Sequence, residues 1–214
     1  MKKDKNTIEL KPIEINHATI YIEGTGDLCL NRMNARATRA LISKQDGKGT
    51  LKQEPNPWED LITALWWRDE LPKIDLYKKA DEKLYNELLK KNKPCITAFG
   101  LKQSFKAAVV RNQIDVYSTK FDTAMNVIAP NGLVPIDFAS VRIDERLMSP
   151  QKGSPVLVRI QHFNGWKAHF DIQYTTSVYS LEEIVNIINL AGFGGGIGSG
   201  RSSGFGRYQV VDVK

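Results

Sequence analysis

Two cysteines, Cys29 and Cys95, make up the whole thiol complement of 214 residues, too few for a disulfide framework or a four-thiolate zinc site. Histidine is nearly as scarce. His17, His162 and His169 are the three, and no His-x-Glu or Cys-x-x-Cys metal pattern occurs. No run approaches the roughly eighteen apolar residues of a membrane span, and no charged segment followed by an apolar one opens the chain as a secretory leader would. The expectation is a cytoplasmic protein with no membrane contact, no metal and no cofactor. Carboxylates are missing from one region in particular. Between Glu183 and Asp212 there are none, and the only charges are Arg201 and Arg207.

What is present is ordinary in bulk and biased in sign. Apolar content of 42% and charge of 25% describe a globular protein, and the length allows one large domain, 1–214, with an insertion. Thirty Lys and Arg against 24 Asp and Glu leave a net charge of +6. That excess suits a polyanionic partner, though a solvated surface carries such charge as well.

Half of the sixteen glycines fall between Gly192 and Gly206, in Gly192-Phe-Gly-Gly-Gly-Ile-Gly-Ser-Gly-Arg-Ser-Ser-Gly-Phe-Gly-Arg207. Ordering so much glycine is entropically expensive, so the segment should need positive φ or bare amides against a partner, and an anion fits. Before it, Ser180 and Glu183 form a capping-box pattern, and Leu181, Ile184, Val185 and Ile188 give an apolar helical stripe ending at Gly192, where a C-cap glycine belongs. After it, residues 207–213 are β-branched and aromatic enough for a strand. The order helix, glycine loop, strand is the reverse of a P-loop or a Rossmann turn, and neither glycine fingerprint is present. A mononucleotide enzyme is disfavoured.

This arrangement resembles the C-terminal glycine-rich loop of the RAMP superfamily, RNA-binding proteins of CRISPR systems built on RRM-like (ferredoxin-like) domains; Gly198 to Gly206 is the specific part. Thr97-Ala-Phe-Gly100-Leu-Lys-Gln-Ser-Phe-Lys-Ala-Ala108 is similar to the segment through which those proteins enter their first helix. Phage and prophage proteins with the same tail are similar too. The resemblance implies an α+β fold, a ferredoxin-like or RRM-like split βαβ core with a helical insertion and a C-terminal glycine-rich loop. It also implies RNA as a partner and a place in an oligomer or larger complex.

Along the chain, residues up to about Lys11 read as a polar arm, and residues from Ile13 to Ile22 as the first strand. In the next stretch Arg32, Arg36 and Arg39 recur at helical spacing, extended by Lys44, Lys48 and Lys52. They fit a phosphate clamp or a solvated helix face. Residues from about 45 to 93 read as a helical insertion. Asn56-Pro57 opens a helix that runs through Leu65 and Trp66 to a stop at Pro72, and an amphipathic segment follows from Leu76 to Lys91. The cluster Trp58, Trp66, Trp67 suits a core or a subunit interface more often than base stacking. Lys102 and Lys106 lie one turn apart on the next helix, either reaching the glycine loop or simply solvated. Asn164-Gly165 between two alternating runs predicts a hairpin of 156–162 with 167–174.

The site expected from all this is a phosphate-binding surface of Arg32, Arg36, Arg39, Lys102, Lys106, Gly195, Gly196, Gly198, Gly200, Arg201, Ser202, Gly204, Phe205 and Arg207, with RNA or single-stranded DNA as ligand. Phe193 or Phe205 would serve as a stacking platform, unless Phe205 anchors the loop to the core. Two alternatives stay open. One is a phage structural or assembly protein using the same surfaces for subunit contacts. The other is a metal-independent endoribonuclease drawing on His17, His162 or His169, the last two brought together by the predicted hairpin. No Ser-His-Asp or Cys-His set can be assigned from spacing.

Overall fold

The computed structural model describes residues 13–49, 54–148 and 156–214. The N-terminal arm and Lys52 of the basic run lie outside the described residues. In chain order the elements begin with β1 (Asn16–Gly24), β2 (Leu28–Leu30), α1 (Ala35–Gln45), α2 (Pro57–Thr63), β3 (Trp66–Trp67), α3 (Leu76–Lys79), α4 (Glu82–Lys91) and β4 (Pro94–Thr97). They continue with α5 (Ala98–Arg111), α6 (Thr119–Ala124), β5 (Met125–Ile128), β6 (Leu133–Asp137), β7 (Ser140–Met148), β8 (Val156–Asn164), β9 (Lys167–Tyr174), α7 (Leu181–Leu190) and β10 (Tyr208–Val213).

Strands β10, β1, β9 and β5 lie side by side in that order, each antiparallel to its neighbour. With α5 leading into β5 and α7 joining β9 to β10, this is the split βαβ arrangement, and the chain is α+β. Strand alternation buries Ala18, Ile20 and Ile22 of β1 and Ala168, Phe170 and Ile172 of β9 on one face, leaving His17, Tyr21, His169 and Asp171 on the other. Leu101, Phe105 and Val109 of α5 and Ile184, Ile187 and Ile188 of α7 cover the buried face, with Phe105 stacked on Phe170 at 6.0 Å between centroids. Each such side chain contributes about 1.5–3 kcal/mol on burial. Beyond β5, β6 pairs with the start of β9 and extends the sheet through β4 to β3.

The hairpin expected at Asn164-Gly165 does not form. β8 pairs with β7 over nine residues and with β2, in a second, three-stranded sheet, while β9 belongs to the first. Both edges of β9 are occupied, by β1 on one side and by β5 and β6 on the other, so β8 has no edge to join. The Asn-Gly turn is a corner between sheets. There the Trp166 indole donates to the Gly26 carbonyl at 2.9 Å, and the Gly24 amide donates to the Trp166 carbonyl at 2.8 Å.

Two helices are shorter than their patterns predict. Asn34 caps α1 by accepting from the Ala37 amide at 2.8 Å, so Arg32 stands before the helix, in the link from β2, off the face carrying Arg36 and Arg39. Asn56 caps α2, but α2 stops at Thr63, and Trp66-Trp67 become an edge strand on β4. Trp67 points inward, its indole donating to the Ile62 carbonyl at 2.8 Å, which turns Trp66 outward. The segment from Leu76 to Lys91 breaks at Ala80, in extended conformation, where Asp81 caps α4.

Candidate functional site

The glycine segment is packed, and its glycines serve close approach as well as positive φ. Helix α7 does not end at Gly192; a π-helical turn, Ala191–Gly195, continues it to Gly196, whose φ of +66° ends it. A Cβ on Gly192 would stand 2.1 Å from the Tyr208 carbonyl oxygen, and one on Gly206 1.8 Å from that of Ile197. The Ile197 amide donates to Gly206 at 3.0 Å, the Gly206 amide to Asp27 at 2.8 Å and the Ser199 amide to Cys29 at 2.8 Å. Ile197, 3% exposed, plugs the loop into the core, and Ser104 of α5 donates to the Gly196 carbonyl at 2.9 Å. The outer arc from Gly198 to Ser202 is left as a wall, on which the amides of Gly198, Gly200 and Ser202 have no hydrogen-bond partner among the described residues.

Three arginines converge on that wall. Arg201 comes from its short 3-10 turn, Arg207 from just before β10, and Arg111 from the last turn of α5, its Nη1 3.8 Å from the Cβ position of Gly195. With Gly195, Ser199 and Ser202 they line a cavity of about 560 Å³ that has no acidic residue on its lining. Arg207 donates to the Phe193 carbonyl at 2.8 Å, and no carboxylate among the described residues pairs with Arg111, Arg201 or Arg207. Arg111 is absent from the sequence-based set. Its only signal was its place at the C-terminus of a helix that starts beside the glycine segment.

This cavity is one link in a groove. Through Gly198, Ser199 and Arg201 it adjoins a cavity of about 300 Å³ lined by Arg32, Trp66, Phe99 and Gln103. Arg32 and Trp66 in turn border a third, about 750 Å³, that runs past Met33 and Arg68. At the other end Arg207 opens on a fourth, about 690 Å³, with Phe193, 84% exposed, on its lining. Arg32 lies over Trp66, guanidinium carbon to ring centroid 3.6 Å, and with no carboxylate beside it, burial alone pulls its pKa below the usual guanidinium value.

Several residues of the sequence-based set are engaged elsewhere. Arg36 binds Asp60 at 2.7 Å and Arg39 binds Glu59 through two bonds of 2.9 Å, clamping α1 to α2; these carboxylates hold both guanidinium pKa values up. The mixed-sign partners lie 20 to 24 residues downstream, so the run looked unopposed only locally. Lys106 and Lys102 bind Asp122 at 2.8 and 3.1 Å, and together they hold its carboxyl below the usual range. Gly196 is buried in packing, and Gly204, φ +86°, has open space around it. Phe205 is half-buried, edge-on to His162 at 4.7 Å, with Arg146 5.5 Å from its ring, and so anchors the loop.

Behind Phe205 the fold assembles a set that spacing did not reveal. His162 is fully buried, with Nδ1 3.1 Å from Cys29 Sγ and Nε2 3.2 Å from Asp144 Oδ2. Burial pushes the Cys29 thiol up to about 11 and the His162 imidazole down, so near neutrality the thiol donates to Nδ1 and Nε2–H donates to Asp144. Arg142 holds the Asp144 carboxyl below its usual range. His169 is far from His162 in register and face, stacked on Tyr21 at 5.5 Å, and His17 is exposed near Asp171 and Lys214. No histidine lines any of the four groove cavities.

No protein-family model matches the chain, and no curated protein matches it. Among solved structures it is similar to a chain of the type III-B Cmr-beta complex bound to cognate target RNA, at 9% identity and a TM-score of 0.47. That match covers 94% of this chain and 60% of the other, so this chain spans about three fifths of its length. It is also similar to Cmr6 from Pyrococcus furiosus, at 12% identity and a TM-score of 0.33, covering 94% of this chain and 100% of that one.

Proposed function

We propose that the chain binds single-stranded nucleic acid, RNA or DNA, along this groove. Arg32, Arg111, Arg201 and Arg207 hold its phosphates, and the unpaired amides from Gly198 to Ser202 add donors. The observation that carries the reading is the division among the arginines. Arg36 and Arg39 on α1, and Arg68 at the far end of the groove, are neutralised by carboxylates, whereas Arg32, Arg111, Arg201 and Arg207 have none among the described residues. A guanidinium left unpaired in a concave, acid-free wall is a site for an external anion. Because no histidine reaches the groove, binding accounts for the geometry better than cleavage does.

The test is fluorescence anisotropy with labelled 20-mers of U and of dT across a salt series. Affinity should fall steeply with salt, and Arg201→Ala with Arg207→Ala should flatten the slope by about 0.7 for each phosphate no longer neutralised. Binding that ignores salt, or no binding, would refute the proposal. A place in an oligomer or larger complex draws support from Val110, Ile114, Val116 and Tyr117, an apolar group left exposed around the end of α5. Light scattering with and without the oligonucleotide separates assembly driven by nucleic acid from assembly by the protein alone.

A further inference from the structure

Resting on the reading just given, we propose that the cavity bounded by Trp66, Phe99 and Gln103 is a nucleobase pocket, taking one base turned out of the strand whose phosphate lies on Arg201. The two aromatic residues are exposed beside buried apolar neighbours. Phe99 is 72% exposed on α5, between Ala98 and Leu101, both buried, and Trp66 is 41% exposed beside buried Trp67. Neither exposure is accidental to the backbone. Alternation in β3 sends Trp66 out because Trp67 is tied inward, and the second position of α5 sends Phe99 over the cavity mouth.

The chemistry of the lining suits a base better than a sugar, a peptide or a cation. Arg32 already lies over the Trp66 ring, so a planar π-system entering beside it meets a guanidinium and an aromatic ring, and Phe99 supplies another face. Gln103 is exposed, and its amide has no partner among the described residues, leaving donors and an acceptor for a base edge. No carboxylate lines the cavity. Its volume of about 300 Å³ is at the lower end for ligand pockets, room for one base and not for an extended chain. Shared walls at Gly198, Ser199 and Arg201 place the pocket next to the arginine cavity, the relation a flipped base has to its own phosphate.

The experiment compares a labelled U 12-mer with the same backbone carrying abasic sites throughout, on the full-length protein, with Phe99→Ala and Trp66→Ala alongside and circular dichroism to check folding. The wild type should bind the abasic strand about tenfold more weakly, as the loss of one stacked base implies. Phe99→Ala, a surface change, should abolish that discrimination while leaving the salt slope intact; Trp66→Ala should do the same if its melt is unchanged. Equal affinity of the wild type for both strands, with the Arg201-dependent salt slope retained, overturns the base pocket and leaves phosphate binding standing. Retained discrimination in folded Phe99→Ala also overturns it. No binding of either strand overturns both.

Discussion

The Cys29 thiol and the His162 imidazole share a hydrogen bond, Sγ to Nδ1 3.1 Å, in the wall that supports the glycine segment, and the Cys29 carbonyl accepts from the Ser199 amide on the other side. The pair is thus a joint between the second sheet and the groove.

Its protonation should set the pH range of stability. His162 has a folded pKa below its ordinary value, so between the two values the unfolded chain binds more protons, and stability is complete above about 6.5 and declines as pH falls below it. Cys29 has a folded value raised to about 11, so its contribution is complete below about 9 and is lost as pH climbs toward 11. Cys95, also raised to about 11 by burial, adds to that upper limb. The groups facing His162 are Asp144, Arg142, Arg146 and Asp27, and the arginines keep Asp144 ionised well below pH 6. Thermal melts should therefore be flat from about pH 7 to 8.5. They should fall below 6.5, with the acid limb weakened in His162→Gln and the alkaline limb weakened in Cys29→Ala. A melting temperature unchanged between pH 5 and 7 in the wild type would show that His162 stays accessible to protons in the folded chain.

Two glycines of the same loop make opposite predictions. At Gly206, φ +70°, a Cβ would collide with the Ile197 carbonyl, whereas at Gly204, φ +86°, it meets nothing within 4 Å. Gly204→Ala should bear only the left-handed backbone penalty, about 1–2 kcal/mol, and retain binding. Gly206→Ala should break the Ile197–Gly206 and Gly206–Asp27 bonds, lowering the melting temperature several times further and displacing Arg201 and Arg207 together. Equal melts for the two variants would mean that conformational freedom, and not close approach, is what glycine supplies here.

How far this was legible depended on sequence distance. The capping box at Ser180 and Glu183, the apolar stripe of α7 and the glycine-rich approach to β10 are local patterns, and the structure contains each. The alternation of β1 and β9 was readable for the same reason. Pairing was not: nothing near Asn164 announces that both edges of β9 are taken, and nothing near Arg36 announces Asp60. Cys29, Asp144 and His162 are separated by up to 133 residues and meet only through the β2-β8-β7 sheet. Arg111 fails for a similar reason, since it joins the site through the packing of α5 against the turn after α7.

The contrast between paired and unpaired arginines yields the sharpest mutational comparison. Arg39 holds Glu59, which is 2% exposed, so Arg39→Ala leaves a buried carboxylate short of its main partner and should cost about 1–3 kcal/mol of stability. Because the guanidinium is spent on Glu59, that variant, once shown to be folded, should keep the wild-type dependence of binding on salt. Arg111→Ala removes a charge with no carboxylate partner among the described residues, so its melt should stay within about 0.5 kcal/mol of the wild type. Its slope of log affinity against log salt should nevertheless drop by about 0.7 for a single strand. The two variants thus exchange their effects: one moves stability and not the slope, the other the slope and not stability. If Arg39→Ala instead flattened the slope and Arg111→Ala left it alone, the polyanion would lie along α1 and not in the arginine cavity behind the glycine segment.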